Sequence, residues 1–392
     1  MGKGGVKMNA KQTRRRVLAA GMAIQLFGGI PAAWGVFQRP VCETFALSGA
    51  GASFLFALLV AAFGAGCIPG GFLQDAKGPR AAGLWGAAIT AAGFALSALV
   101  PQRAGWLLAV TLSLPVGCGC AFLYPAVMSC AQKQYADKKG FATGMIGIAV
   151  GLSGGFLTLT GRTLQRYAGL RGCFLGFGGL FLAVCLPAAL ALADPPDAKK
   201  APAGKNDHTP LQMLRTRDWR LLFAAGALGT PSVLLFSPII LEWGEGRGLS
   251  AGAALCSIIF GSMASAAGRL SMPALSDRVG RLRVDRWLFL ALSAFSAVFI
   301  FAGGWWVVAC WAALCFCYSG ECALLPAICT DRFGLRHAGI NYGFLALGQS
   351  AGSLLFGPLA GALSALWPRH ALAVLAPLLG AGLLLRLEKG ED

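Results

Sequence analysis

The sequence Asp75-Ala76-Lys77-Gly78-Pro79-Arg80 follows a long apolar run, and a related sequence, Asp277-Arg278-Val279-Gly280-Arg281, follows another. The two copies begin 202 residues apart, at positions 75 and 277. A second related pair, Tyr124-Pro125-Ala126-Val127 and Leu325-Pro326-Ala327-Ile328, has its two prolines 201 residues apart. Because the two offsets nearly agree, the sequence predicts a chain built from two related halves.

The composition is typical of a protein that lies in lipid. Of 392 residues, 56% are hydrophobic and 12% are charged, against roughly 25% charged in soluble domains. A membrane-spanning helix needs about 20 apolar residues, and the 55 glycines suit close packing of such helices. We therefore predict an all-α integral membrane protein with twelve transmembrane helices. The predicted spans are 17–37, 47–72, 81–100, 105–131, 140–164, 172–193, 221–243, 250–275, 287–303, 305–329, 338–366 and 371–387.

The one long hydrophilic segment, residues 194–220, divides these spans into six and six. It is rich in Pro, Lys, Asp and Arg, which is the composition of a linker. The predicted organisation is an N-terminal six-helix half at 1–193, a linker at 194–220 and a C-terminal six-helix half at 221–392. Repeated halves joined in this way are typical of transporters with a site near the middle of the membrane.

The basic residues predict the orientation. With the spans above, 25 of the 33 Lys and Arg residues fall on one side of the membrane and 7 on the other. Lys and Arg concentrate on the cytoplasmic side, so both termini and the linker are predicted to be cytoplasmic. The net charge of +17 is then a topology signal, and we do not expect the chain to bind nucleic acid.

The thirteen cysteines are scattered through apolar segments, without the spacing of a metal site. We interpret them as small buried hydrophobic residues. No histidine falls in a predicted span, since His208, His337 and His370 lie in hydrophilic segments. With no phosphate loop and no Ser/His/Asp set visible, we predict no metal, no cofactor and no enzymatic activity.

Four groups of residues carry a family resemblance. They are Pro69-Gly70-Gly71 before the first loop motif, Tyr124 with 137–144, Arg269 eight positions before Asp277, and Asn341-Tyr342-Gly343-Phe344. Through them the chain resembles the Major Facilitator Superfamily and, within it, the oxalate/formate antiporter family, which includes bacterial monocarboxylate transporters. The resemblance implies uptake or exchange of small carboxylates by alternating access, in a cell inner membrane.

The resemblance also implies site residues. An arginine of the eighth helix and a tyrosine of the fourth contact substrate in the family, and Arg269 and Tyr124 match them. The sequence departs from the oxalate exchanger at several positions: Gln349 stands where that protein has a lysine, Pro31-Ala32 replaces a Gln-Tyr pair, Val150 replaces a tyrosine and Tyr318 a tryptophan. With one fixed positive charge instead of two, a monocarboxylate such as lactate, pyruvate or formate is favoured over oxalate.

The charges inside the predicted spans point to the same residues without the family. Arg269 is the one basic residue outside the loops, and Glu321 is the one acid deep in an apolar run. A charge at the bilayer centre costs at least about 2.5 kcal/mol, which argues for a function. Arg269 offers a planar fork that binds a carboxylate with two hydrogen bonds; alternatively, it pairs with Glu321 to hold two helices together. Glu321 is a candidate proton site, a static partner of Arg269, or a residue that faces away from the cavity.

Three uncharged polar residues complete the predicted site. The hydroxyls of Tyr124 and Tyr318 can bond a carboxylate oxygen, and the alternative for each is helix packing. Gln349 donates and accepts hydrogen bonds without adding charge, and an ordinary interhelical hydrogen bond is its alternative role.

The loop motifs contain four further candidates, Asp75, Arg80, Asp277 and Arg281. In superfamily relatives such loops brace the closed gate by charge pairs and helix-end interactions. We expect them to affect the transport rate more than the selectivity.

We therefore predict a monomeric secondary active transporter of small carboxylate anions, working by proton symport or anion exchange. One alternative is a proton-coupled exporter of cationic or amphiphilic compounds that uses Glu321 as the cation site. Another is an oxalate-type dicarboxylate exchanger. A membrane enzyme or sensor on a transporter fold ranks last.

Overall fold

The computed structural model describes residues 10–135, 139–195, 207–334, 337–362 and 366–388. All regular elements in these ranges are helical. The α-helices are α1 (Ala10–Gly28), α2 (Gly35–Phe45), α3 (Gly49–Lys77), α4 (Pro79–Ala98), α5 (Leu114–Gln134), α6 (Lys139–Leu180), α7 (Leu186–Ala191), α8 (Pro210–Arg215), α9 (Arg217–Gly229), α10 (Pro231–Leu234), α11 (Ile240–Gly246), α12 (Ala251–Val279), α13 (Arg281–Phe299), α14 (Trp305–Phe333), α15 (Ala338–Ala362) and α16 (Leu366–Glu388). Asp137, Lys138 and residues 196–206 of the predicted linker lie outside the described residues.

Within the described ranges, eight helical segments are long and apolar enough to cross a membrane. They are Gly49–Lys77, Pro79–Ala98, Gln102–Gln134, Phe141–Ala191, Arg217–Gly246, Ala251–Val279, Trp305–Phe333 and Trp367–Glu388. The all-helical, multi-span character is thus confirmed. The number twelve stays a prediction. The remaining helices, α13, α15 and the pair α1 and α2, lie at positions compatible with it.

Proline and glycine set the breaks in these helices. The predicted first span is interrupted between α1 and α2 by a 3₁₀ turn at Ile30–Ala33, because Pro31 has no N–H for an α-helical hydrogen bond. The segment Phe141–Ala191 contains the predicted fifth and sixth spans, and Gly169 breaks it with φ +65°. Gly78 and Gly280, the glycines of the two loop motifs, have φ of +88° and +105°. Glycine adopts this conformation without steric cost, so each motif turns the chain sharply into the next helix.

Buried apolar side chains form two clusters. The first contains residues between Val17 and Leu192, and the second contains residues between Met213 and Leu387. The predicted domain boundaries at 193 and 221 remain a prediction. The cysteines of the described chain are all free thiols, and each is buried or partly buried.

Two helix pairs, α3 with α15 and α6 with α12, join the first cluster to the second. Small residues let the backbones approach closely in both pairs. In the first pair, Ser350 and Ser353 donate hydrogen bonds to the carbonyls of Val60 and Ala57, at 3.3 and 3.4 Å. Helices α3, α12 and α14 terminate at the same end of the bundle. This end is called the loop-motif face below.

Two expectations about charged or titratable residues were wrong. His370, expected in a loop, lies in α16 and is 1% exposed, beside Phe236 and Trp243. Asp285 falls before the predicted ninth span, 287–303, yet it lies in the second turn of α13 and is 4% exposed. Both helices begin earlier than hydropathy predicts, because one side of each polar stretch packs into the bundle: Leu282 and Val284 in α13 and His370 in α16 are buried.

Candidate functional site

A cavity of about 210 Å³ lies between the two groups of helices. Its walls come from α1, α3, α5 and α6 on one side and from α10, α12, α14 and α15 on the other. Among the described residues that line it, Arg269 is the one with a charged side chain. The cavity is therefore an apolar chamber with one fixed positive charge.

Arg269 lies on α12 and extends into this cavity beside α6. A Cβ atom added at Gly147 of α6 would lie 3.1 Å from the Cβ of Arg269, so glycine makes room for the arginine at the crossing. The Nε atom of Arg269 is buried and has no hydrogen-bond partner in the described structure. An unsatisfied buried donor is costly, and an anion bound there would satisfy it.

Tyr124 faces the cavity from α5 and is 7% exposed. Its ring stacks on that of Tyr342 from α15, with centroids 6.0 Å apart, and meets the edge of Phe63 from α3 at 6.1 Å. Arg269 lies within electrostatic range of both tyrosines. These rings place two hydroxyl-bearing residues, one from each group of helices, near the same guanidinium.

Tyr318 of α14 and Gln349 of α15 also line the cavity. The Gln349 Nε2 atom lies 3.3 and 3.2 Å from the two carboxylate oxygens of Glu321 and 3.2 Å from the Sγ of Cys322. The amide thus donates away from the cavity, towards α14. The Gln349 side chain connects the cavity wall to a buried carboxyl group.

Glu321 itself lies behind the wall. It is 3% exposed and is not among the residues that line the cavity. The described structure has no Arg269–Glu321 ion pair within 4 Å, although the two groups are within electrostatic range. Of the three roles considered for Glu321, this geometry does not favour a static ion pair with Arg269 and fits a side chain that faces away from the cavity. The role as a proton site stays a prediction.

The positions assigned to the cavity through the family resemblance line it. Pro31, Ala32 and Val150 all contribute to its surface. Their small or branched apolar side chains leave space in the cavity that Arg269 also lines. This space suits a short aliphatic group attached to a carboxylate.

The four loop-motif residues occupy the loop-motif face. Asp277 lies 3.2 Å from Arg281, and Arg281 also pairs with Asp331 at the end of α14. The carboxylate of Asp75 lies near Gly339 in the first turn of α15: an added Cβ there would be 3.4 Å from it. A carboxylate is stabilised at a helix N-terminus. Arg80 is exposed and has no described carboxylate within 4 Å.

Sequence reasoning missed several cavity residues. Tyr342 was noted as part of Asn-Tyr-Gly-Phe but received no role, and its position beside Tyr124 follows only from the packing of α15 against α3. Ser265 and Ser319 share a 2.6 Å hydrogen bond between their hydroxyls at the cavity wall. Serine is so common in membrane helices that no sequence signal separates these two from the others.

Comparisons with known proteins agree with this architecture. Residues 17–303 match the family described as the Major Facilitator Superfamily. The chain is 25% identical over 348 residues to the oxalate:formate antiporter of Oxalobacter formigenes, covering 86% of this chain and 82% of that protein. It is 30% identical over 347 residues to an uncharacterized 38 kDa protein in the 23S RNA operon of Thermoproteus tenax, covering 87% of each. It is 25% identical over 365 residues to the uncharacterized MFS-type transporter YhjX of Escherichia coli, covering 88% of this chain and 87% of that protein.

Proposed function

Because this chain belongs to the Major Facilitator Superfamily, and is therefore a multi-pass membrane transporter and not an enzyme, we propose that it carries small carboxylate anions by alternating access. The observation that carries the proposal is Arg269, whose buried Nε has no described partner and whose side chain is the charged group of the described cavity lining. A guanidinium stays protonated and binds a carboxylate through two parallel hydrogen bonds. Similarity to an oxalate:formate antiporter supports the same substrate class.

The size and charge of the cavity favour a monocarboxylate such as lactate, pyruvate or formate. Its volume of about 210 Å³ is below the roughly 300 Å³ at which pockets for drug-sized ligands begin. One positive charge balances one carboxylate. A dicarboxylate such as oxalate leaves a second negative charge without a partner in a low-dielectric chamber, and such a charge is costly to bury.

Substrate binding at Arg269 provides the energy for alternating access. An unpaired guanidinium opposes closure of the cavity around it, whereas a neutralised ion pair is less costly to enclose. The close α3–α15 and α6–α12 contacts are the surfaces that rearrange when the two halves rock. Coupling to proton symport or to exchange of a second anion both fit this scheme, in a chain whose termini we place in the cytoplasm.

The competing function, export of cationic compounds, requires an accessible carboxylate. Glu321 is 3% exposed and lies behind Gln349 and Cys322, so a bound cation would contact Arg269 before it reached Glu321. The geometry therefore supports the anion carrier better.

Binding to the purified protein tests the proposal directly. Formate, acetate, lactate, pyruvate and oxalate, together with cationic dyes, are compared by thermal shift and then by counterflow in proteoliposomes. We expect stabilisation and counterflow with at least one short monocarboxylate, and weaker effects with oxalate. A response to the dyes alone contradicts the proposal and supports the exporter.

Gln349 provides a test of substrate charge. A lysine at this position lies beside Glu321 and pairs with it, so Gln349→Lys alone adds no net charge to the site. In the double variant Gln349→Lys with Glu321→Gln, the cavity gains a second positive charge. We expect the ratio of oxalate affinity to monocarboxylate affinity to rise at least about tenfold, which is about 1.4 kcal/mol. Isothermal titration of both anions measures the ratio, with Glu321→Gln alone as the control; an unchanged ratio shows that charge does not set the selectivity.

A further inference from the structure

Asp285 is a second buried acid that the anion site does not use. It lies on α13 and is 4% exposed, and its Oδ1 atom has no hydrogen-bond partner in the described structure. A buried carboxylate oxygen without a donor is unfavourable if it carries charge. The group therefore needs either a cation or a proton.

The packing of α13 brings Asp285 towards Glu321. Leu288 and Phe289 follow Asp285 by three and four residues, so the three share a face of the helix. A Cβ added at Gly320 would lie 3.1 Å from Leu288, and one added at Gly229 would lie 3.1 Å from Phe289 and 3.9 Å from the Glu321 carboxyl carbon. This face of α13 thus packs on the turn of α14 that carries Glu321, and the two carboxyl groups are within electrostatic range.

The three arginines of α13 pair with carboxylates other than these two. On α13, Arg281 pairs with Asp277 of α12 and Asp331 of α14. Arg283 and Arg286 pair with Glu388 of α16. Helix α10 also packs against α13, and its residues, Pro, Ser, Val and Leu, bring no ionisable side chain to the pair. Glu321 accepts hydrogen bonds from the Cys322 thiol of α14 and the Gln349 amide of α15, and Arg269 of α12 lies within electrostatic range on the cavity side.

No described Lys, Arg or His nitrogen lies within 4 Å of either carboxyl group. Two ionised carboxylates buried near each other repel strongly, and the usual outcome is that one of them retains a proton. From this arrangement we propose that Asp285 and Glu321 together hold one exchangeable proton and form the proton-coupling site of the transport cycle. This inference rests on the proposed function and names its coupling ion.

The positions of the two acids give the proton a route. Asp285 is four residues from the start of α13 at the loop-motif face, or about 6 Å along the helix. Glu321 lies deeper and reaches the cavity wall through its hydrogen bond from Gln349. A proton thus enters at Asp285 and reaches Glu321 beside the substrate chamber. When a carboxylate anion is bound at Arg269 and a proton is bound to this pair, their charges cancel and the loaded protein carries no added net charge.

Infrared spectroscopy tests the shared proton without transport. The carbonyl band of a protonated carboxyl group is followed through a pH titration of the purified protein. We expect a protonated buried carboxyl near neutral pH in the wild type and its loss in the double variant Asp285→Asn with Glu321→Gln. A band that survives in the double variant overturns the proposal, whatever the substrate is.

Transport then tests the coupling. In proteoliposomes with an imposed pH gradient, Asp285→Asn is expected to reduce monocarboxylate accumulation at least about tenfold, while counterflow at equal pH stays within about threefold of wild type. The exposed Glu43→Gln variant is the control for a lost carboxylate. Accumulation by Asp285→Asn at the wild-type level, or accumulation that follows a sodium gradient, overturns the proton site. Absence of wild-type counterflow with every carboxylate instead contradicts the proposed function, and the infrared result then stands by itself.

Discussion

Arg269→Lys is expected to abolish transport although it keeps the positive charge. Lysine presents a compact ammonium in place of a planar fork, so it cannot make two parallel hydrogen bonds to a carboxylate. Each hydrogen bond that involves a charged group contributes about 1.5–3 kcal/mol, and loss of one weakens binding about 10- to 150-fold. The measurements are the dissociation constant of the preferred monocarboxylate and its counterflow rate in proteoliposomes.

Arg247 supplies a matched control for this substitution. It lies outside the cavity, and its guanidinium donates to the carbonyls of Ile300 and Ala302 at 2.9 Å each. Arg247→Lys therefore removes a similar pair of hydrogen bonds without touching the site. We expect reduced thermal stability and an unchanged dissociation constant. Full transport by Arg269→Lys contradicts bidentate binding, whereas equal losses of affinity in both variants assign the effect to the fold.

The helical, multi-span architecture could be predicted from the sequence because hydropathy acts over whole segments. Breaks inside those segments depend on single residues and are harder to predict from hydropathy. The predicted first span runs through Pro31, yet the structure interrupts it there with a 3₁₀ turn. Conversely, the predicted gap between the fifth and sixth spans contains Gly169, where the structure has a non-helical residue in one long helical run.

From the residues alone, the cavity could be predicted only where charge made a residue conspicuous, and its uncharged lining was assigned through the family resemblance. Arg269 stood out as the one basic residue inside a span. Asp285 did not, because three arginines around it made the segment resemble a loop, and the helix pairs those arginines with Glu388, Asp277 and Asp331. Glu321 was found, but the direction of its side chain relative to Gln349 depends on how α14 and α15 rotate against each other. Hydropathy carries no information on that rotation.

The second large effect is expected at Gly151 of α6, in one of the two helix pairs that join the two apolar clusters. A Cβ at this position would lie 2.3 Å from both the Cα and the N atoms of Ala266 on α12. Those are backbone atoms, so the contact cannot be relieved by a side-chain rotation. Arg269 lies one turn from Ala266 on the same helix. Separation of α6 from α12 at this point therefore moves Arg269 away from Tyr124.

Gly155, one turn further along α6, is the matched control. A Cβ there would lie 3.4 Å from the Cβ of Ser262, also on α12, which is close to an ordinary contact. Alanine is the better helix former by about 1 kcal/mol. Gly155→Ala is therefore expected to retain transport within about twofold of wild type and to keep or raise the melting temperature.

Gly151→Ala is expected to lose most transport and to bind substrate more weakly, with a lower melting temperature. Overpacking at a tight contact costs about 1–3 kcal/mol. If that cost falls on the state with α6 and α12 in contact, the population of this state relative to separated states drops about 5- to 150-fold. Accessibility of a cysteine introduced at Ser262 to a membrane-impermeant thiol reagent reports the separation, compared between the two glycine variants in a background lacking the native thiols. Equal labelling and equal transport in the two variants would mean that the transport cycle does not require this close contact between α6 and α12.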